Sequence, residues 1–241
     1  LAQTWEKIGL ALGKVAHDLA NILTGVNGFA ELALSQVAGQ SLPEAYLREV
    51  CESGQRGVTL AQRMRLLKHC AIVSPHATTT SVALAVETAL AEVSKTVTPC
   101  PRIQPRLAVD LADVRLGPEA LRTVVVEIVR NACEAAGMNG EVHITGENAP
   151  LSASQAEFLV GSAMPGRFAR LIIEDNGRGI PAEHLAKILT VPLFTTKSGA
   201  RGFGIPIVFR TLYAHGASFT IGAREPHGTT VELWLPAVEA T

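Results

Sequence analysis

Leu171-Ile172-Ile173-Glu174-Asp175-Asn176-Gly177-Arg178-Gly179 is an apolar strand that closes on a carboxylate and runs straight into glycines at alternate positions. Gly177 and Gly179, lacking side chains, let the backbone come close to a flat ring. A carboxylate at a strand end can accept hydrogen bonds from an exocyclic amine such as that of adenine. A tight turn after a strand explains the same residues. The flanking segments separate the two readings.

Upstream, Val124-Val125-Val126-Glu127-Ile128-Val129-Arg130-Asn131 lies in a stretch, about 118 to 136, that reads as a largely buried helix. Glu127 and Asn131 are one turn apart on a shared face. An Asn carbonyl is a suitable oxygen ligand for Mg²⁺, and Glu127 supports that site or positions a water. Within so apolar a run, unpaired polar groups are costly, which favours a functional role over a surface Glu and a capping Asn. Arg130 reaches phosphate or is a solvated surface arginine. Downstream, Leu193-Phe194-Thr195-Thr196-Lys197 leads into Ser198-Gly199-Ala200-Arg201-Gly202-Phe203-Gly204, a glycine-rich loop that opens a helix with Pro206 near its first turn. Proline near N1 and the bare amides of a helix start suit an anion. Thr196, Lys197, Arg201, Gly202, Phe203 and Gly204 are therefore candidates to cover a triphosphate; an ordinary surface loop is the alternative.

The amino-terminal third has a different rhythm. Leu1, Trp5, Ile8, Leu12, Val15, Leu19, Ile22, Val26, Phe29 and Ala33 recur in alternating steps of four and three, a heptad seam. With Val15 at d, His17 falls at f and Asn21 at c, one turn apart on the outer face. A histidine there is placed to meet another domain. Asp18 adjoins it but does not share its helix face, so its carboxylate has to reach round. After a polar break at 38–43, a second helix over about 44 to 71 points Leu47, Val50, Gly54, Val58, Ala61 and Met64 inward. The result is an α-helical hairpin. A lone helix pair buries too little surface, and a four-helix bundle made by two chains, a homodimer, is the simplest completion. Gly9, Gly13, Gly25, Gly54 and Gly57 each cost up to about 1 kcal/mol of helix propensity, with no compensation visible in the sequence.

Residues 74–81 read as a linker between a unit at 1–73 and another at 82–241. In the second unit, helices near 84–93 and 118–136 alternate with strands near 141–146, 168–174, 218–222 and 230–235, giving an α+β two-layer sandwich. Residues 150–166 read as an irregular insertion without chemistry. The formal net charge of -1, from 21 Lys+Arg against 22 Asp+Glu, disfavours nucleic acid as a partner. Cys51, Cys70, Cys100 and Cys133 are too scattered for a zinc site or a disulfide framework and read as reduced thiols. No apolar run reaches the ~18 residues of a membrane span, and the first residues lack the form of a signal peptide. A cytoplasmic chain is expected. It begins at Leu1 already inside a helical pattern, which leads us to expect a further region upstream.

In their order and spacing, His17-Asp18-Leu19-Ala20-Asn21, the stretch from Glu127 to Asn131, the stretch from Asp175 to Gly179, Phe194, and Gly202 with Gly204 resemble the H, N, G1, F and G2 boxes of the sensor histidine kinases of two-component signalling. These lie within the wider GHKL ATPase superfamily of Hsp90, DNA gyrase and MutL. The resemblance implies a dimerisation and histidine phosphotransfer domain joined to an ATP-binding catalytic domain, with ATP and Mg²⁺ as ligands and the receiver domain of a response regulator as partner. In it His17 matches the phosphorylated residue, Asp18 the adjacent acid, and Asn21 the position implicated in dephosphorylating the regulator. Asn131 matches the magnesium ligand, Asp175 the adenine anchor, and Thr230 the threonine that helps hold the base.

Three places depart from the usual pattern. No proline follows His17 within a few residues, Arg201-Gly202-Phe203-Gly204 stands where Thr-Gly-Leu-Gly is frequent, and Glu127 stands where Asn is often found. These bear on loop geometry and turnover more than on nucleotide binding. For attack on phosphorus the His17 ring must be neutral with one nitrogen unprotonated; Asp18 would accept the Nδ1 proton and leave Nε2 as nucleophile. His69, His76, His143, His184, His215 and His227 lack such a setting and read as structural. Two other readings use the same residues. One is a relay module with a degenerate ATP domain, in which His17 carries phosphate received from elsewhere. The other is an ATPase of chaperone or DNA-repair type, in which Glu127 activates water; it leaves the His17, Asp18 and Asn21 face unexplained.

Overall fold

The heptad-patterned third of the chain forms two long helices, α1 (Ala2–Gln36) and α2 (Ser41–His69), that run antiparallel as a hairpin. The computed structural model of the protein describes the backbone of residues 2–37, 41–69, 79–191, 193–197 and 202–238, with side chains throughout these ranges except at 2–14, 41–42 and 68–69. The chain divides into two compact units, Leu1–His69 and Cys70–Thr241. The expected linker lies outside the described residues except at Thr79, Thr80 and Ser81.

In the hairpin, Ala16 and Ala30 of α1 face inward with Ala61 and Leu67 of α2. The helices come closest where a Cβ on Gly54 would sit 1.8 Å from Asn27 Oδ1, and one on Gly57 2.4 Å from Leu23 Cδ1. Two of the glycine costs are thereby accounted for: a larger residue here would have to displace the Asn27 or Leu23 side chain. Gly25 has open space around it and nothing in the structure explains it. The seam residues do not line this interface. Leu19 is half-buried, but Val15, Ile22, Val26 and Phe29 are exposed, Phe29 at 76%. The contacting residues, Ala16, Leu23, Asn27 and Ala30, lie one position further along, about 100° round the helix. On α2 the expected inward positions Gly54 and Ala61 are buried, whereas Val50 is exposed. Small residues let two helices of one chain approach closely, so the bulkier apolar stripe is left on another face.

The second unit runs α3 (Val82–Thr96), β1 (Arg102–Leu107), α4 (Pro118–Ala136), β2 (Glu141–Leu151), α5 (Ala153–Ala156), β3 (Val160–Gly161), β4 (Gly166–Asp175), α6 (Ala182–Thr190), α7 (Gly204–Ala214), β5 (Ser218–Ala223) and β6 (Thr229–Pro236). The strands form one six-stranded sheet in the order β1-β2-β4-β6-β5-β3, antiparallel throughout except for the β1–β2 pair. α4 starts at Gly117 with Pro118 in its first turn, ends at Gly137, and packs on β2 and β4 with α3 and α7 beside it. Its Leu121, Val124, Val125, Ile128 and Val129 are buried, as are Val142, Ile144, Leu171, Ile173, Leu233 and Leu235 of the sheet. Each such side chain contributes about 1.5–3 kcal/mol through burial, and this layer holds the unit together.

Two elements go beyond the sequence-based expectation. β1 carries Pro105, which a sheet interior would reject for want of an N–H; β1 is an edge strand, where proline is tolerated. The 150–166 insertion is partly ordered. Ser152 and Gln155 form a reciprocal capping box at α5, and Leu151, Ala156, Leu159 and Ala163 pack with Phe168 and Trp234. The insertion thus covers aromatic side chains that would otherwise face water.

Candidate functional site

Asp175, the last residue of β4, is only 3% exposed. The Gly177 N–H donates to its Oδ1 at 2.8 Å, and the hydroxyl and N–H of Thr229 also donate to it. Burial raises the carboxyl above its ordinary pKa, while the Gly177 and Thr229 hydrogen bonds and the Arg224 charge oppose the rise. The pairing register sets Thr229 directly across from Asp175 and Thr230 across from Glu174. Side chains alternate between faces of a sheet, so Thr229 shares the Asp175 face, while the Thr230 hydroxyl is directed to Glu174 at 3.4 Å. Thr229, and not the Thr230 expected from the sequence, is thus the threonine that hydrogen-bonds to Asp175. The deciding fact is the β4–β6 register, which the local Gly-Thr-Thr pattern does not contain.

The loop after β4 is drawn onto α4. Asn176 Oδ1 accepts the Glu141 N–H at 2.8 Å, and a Cβ on Gly177 would lie 2.3 Å from the Ala135 carbonyl. Gly179 has φ +69° and packs near Gly228. On α4 itself, Glu127 is 6% exposed and forms an ion pair with Arg130, whose side chain is also largely buried. Arg130 is thus not a solvated surface residue. From the other side Gly204, first residue of α7, comes so close that a Cβ would sit 3.0 Å from Glu127 Oε2 and 3.2 Å from Asn131 Nδ2. Residues far apart in sequence meet here.

The segment before α7 also reaches α4. The Lys197 ammonium donates to Asn131 Oδ1 at 3.1 Å and to Glu134 Oε2 at 2.5 Å. Glu134 was not singled out from the sequence; its signal was the i, i+3 spacing from Asn131. Thr196 is exposed, and the Phe194 ring lies 5.4 Å from the His184 ring of α6, tilted by 56°. Gly202 adopts φ +68°, and a Cβ there would meet the Leu193 carbonyl oxygen at 2.2 Å, so only glycine serves. Phe203 is buried and anchors the start of α7 instead of offering its ring to a ligand. Arg201, with Ser198, Gly199 and Ala200, lies outside the described residues.

In the helical unit His17 stands out at 61% side-chain exposure, with Asp18 at 66%. Asp18 Oδ1 lies 3.3 Å from His17 Nδ1, and Asn21 Nδ2 lies 3.4 Å from the same nitrogen. The carboxylate has reached round the helix. An Nδ1–H would donate to Asp18 and leave the lone pair on Nε2, whereas a bare Nδ1 would accept the Asn21 amide N–H; which contact forms depends on the tautomer. Among the remaining histidines, His143 pairs with Glu141 and His215 Nδ1 meets the Thr211 carbonyl at 2.7 Å. His69 and His76 lie outside the described side chains.

The family described as histidine kinase-, DNA gyrase B-, and HSP90-like ATPase matches residues 117–239, more than half of this 241-residue chain. The chain belongs to this ATPase family. Its similarity to sensor histidine kinases extends over nearly its whole length. It is 27% identical to the sensor histidine kinase ZraS of Escherichia coli (strain K12) over 235 residues, covering 94% of this chain and 45% of ZraS. It is also 27% identical to the sensory histidine kinase/phosphatase NtrB of Salmonella typhimurium over 222 residues, covering 92% of this chain and 60% of NtrB. The chain therefore spans less than two thirds of the length of these relatives. Among solved structures, full-length ShkA in complex with AMPPNP superposes with a TM-score of 0.73 at 18% identity, over 96% of this chain and 46% of ShkA. The ATPase fold of the second unit and the helical character of the first agree with that likeness. Among the described residues, no helix is long and apolar enough to cross a membrane.

Proposed function

We propose that this ATPase-family chain is the transmitter part of a sensor histidine kinase: it binds ATP with Mg²⁺ at the α4 site, phosphorylates His17, and passes the phosphoryl group to an aspartate of a response regulator. The observation that carries the reading is the exposed His17 with Asp18 against Nδ1, on a helix joined to an ATPase unit. A core histidine has no use for such exposure.

Asp175 and Thr229 supply a buried acceptor and a hydroxyl for the adenine edge, a pairing that a polar base can satisfy and an apolar ligand cannot. Asn131 and Glu134 would hold the metal; the Lys197 ammonium resting on both oxygens supports that reading. When bound, Mg²⁺ neutralises phosphate charge and orients the transferred group. The helix start at Gly204 and the Lys197 ammonium favour anionic phosphate nearby. Asp18 holds the Nδ1 proton, the Nε2 lone pair forms the P–N bond, and the bond from the γ-phosphorus to the bridging oxygen breaks to release ADP. Asn21, one turn from His17, is placed to hold a water for hydrolysis of the regulator's phospho-aspartate; unaltered regulator dephosphorylation by Asn21→Ala would remove that role.

The exposed stripe of Val15, Ile22, Val26 and Phe29 supports a homodimer, since a second hairpin laid on it completes a four-helix bundle. His17 lies on the opposite side of α1 from that stripe, by the 100° step of the helix, and stays accessible. Two units, at 1–73 and 82–241 with a linker at 74–81, match this division of labour. Glu127 is paired with Arg130, which weighs against a water-activating role in an ATPase without phosphoprotein. The deciding experiment is incubation with γ-labelled ATP: label that is stable in base, lost in acid and absent from His17→Ala supports the proposal. ATP hydrolysis without any labelled protein would sink it.

A further inference from the structure

Asn131 and Glu134 stand three residues apart on α4, so their side chains share a face. Between them sits an ammonium: Lys197 Nζ is 3.1 Å from Asn131 Oδ1 and 2.5 Å from Glu134 Oε2. A carbonyl oxygen and a carboxylate are the hard donors that a small divalent cation takes from protein, the rest of its shell being water and phosphate. An ammonium and a dication held on the same two oxygens would lie within a few ångströms of each other, where like charges repel strongly. Lys197 belongs to the segment that also carries Phe194, whose ring packs at a tilt against His184. The lysine therefore ties that segment to α4 through the oxygens a metal would use.

We infer that Asn131 and Glu134 form a two-oxygen cation seat, that Lys197 is its exchangeable occupant in the nucleotide-free chain, and that entry of a divalent cation releases the lysine toward the phosphates; the inference rests on the nucleotide site proposed above. Glu134 is then a positioning residue for both states. It holds Lys197 before nucleotide arrives and steadies the metal side afterwards. Exchange needs no buried rearrangement, since the Glu134 and Lys197 side chains retain 39% and 27% exposure. A plain surface ion pair of the same geometry would ignore divalent metal beyond general screening by salt.

The test is amine footprinting of the full chain: brief acetylation without nucleotide, read lysine by lysine by mass spectrometry, with the exposed Lys95 and Lys187 as internal references. Lys197 should react about threefold to fivefold more slowly than the references, the protection expected from a partly exposed ion pair. Millimolar Mg²⁺ should abolish most of that protection, while Na⁺ at matched ionic strength should not. Glu134→Ala, a change on the exposed side of a helix, should raise Lys197 reactivity without metal and leave little further response to Mg²⁺. Lys197 reacting as fast as the references in the wild type overturns the inference, as does protection that Mg²⁺ and Glu134→Ala both leave unchanged. Binding of a non-hydrolysable ATP analogue to the same preparation tests the underlying reading separately. If the analogue does not bind, the nucleotide site is wrong, whereas a flat footprint with normal binding removes only the lysine exchange.

Discussion

At Asp175 stability and the proposed nucleotide binding pull in opposite directions. Its carboxyl is raised above the ordinary carboxylate range, with burial the largest cause. Below that range the group is protonated in both folded and unfolded chains and costs nothing. As pH rises past it, the unfolded chain ionises first, so the folded chain loses relative stability until its own carboxyl has ionised as well. Asp175→Asn should therefore melt at a higher temperature than wild type at neutral pH, with the advantage fading as pH falls below the ordinary carboxyl range. The same variant should bind a nucleotide analogue about tenfold more weakly, the cost of one mismatched polar contact. Thermal melts across pH beside binding curves check both; equal melting temperatures at neutral pH would count against a burial cost. Cys133 offers a second residue-scale check. Burial, with Cys100 beside it, pushes its thiol up to about 12, whereas Cys51 and Cys100 are half-exposed. Brief alkylation at neutral pH should label Cys51 and Cys100 but spare Cys133 until the unit unfolds, as peptide mass spectrometry would show.

At the scale of elements, the hairpin is set by its smallest residues. A valine at Gly54 would drive its Cβ into the Asn27 amide, and overpacking of this kind costs about 1–3 kcal/mol. Gly54→Val should therefore lower the melting temperature of the helical signal in circular dichroism, while ligand binding by the ATPase unit persists. An unchanged helical melt would mean that the helices do not meet there. α4 was legible because its polar Glu127 and Asn131 interrupt an otherwise buried apolar run at helical spacing. β1 was not, since Pro105 and two arginines disguise an edge strand that, among the described residues, pairs with β2 alone. α6 is short and none of its residues is buried, so it left no periodic apolar stripe to read.

At the scale of the whole molecule, the exposed apolar stripe of α1 makes the second copy testable. Phe29 is 76% exposed within one chain, so Phe29→Glu should leave the isolated hairpin folded. In a dimer it would bury a charge against an apolar face, at several kcal/mol. Sedimentation should find the wild type dimeric and the variant shifted to monomer at the same concentration, with its helical signal retained. A wild type that sediments as a monomer would refute the bundle.

Local spacing by itself determined the outward station of His17 and Asn21, the helical face shared by Glu127 and Asn131, and the strand that delivers Asp175. Each follows from the 3.6-residue or two-residue repeat of a single element. Only the tertiary structure decided that Thr229 and not Thr230 stands beside Asp175, that small residues rather than the heptad seam close the hairpin, and that Lys197 rests on Asn131 and Glu134. Those facts depend on strand register and on contacts between residues as many as 66 positions apart. A one-residue change in pairing reverses every face of a strand while leaving its own pattern intact, so a local repeat cannot specify them.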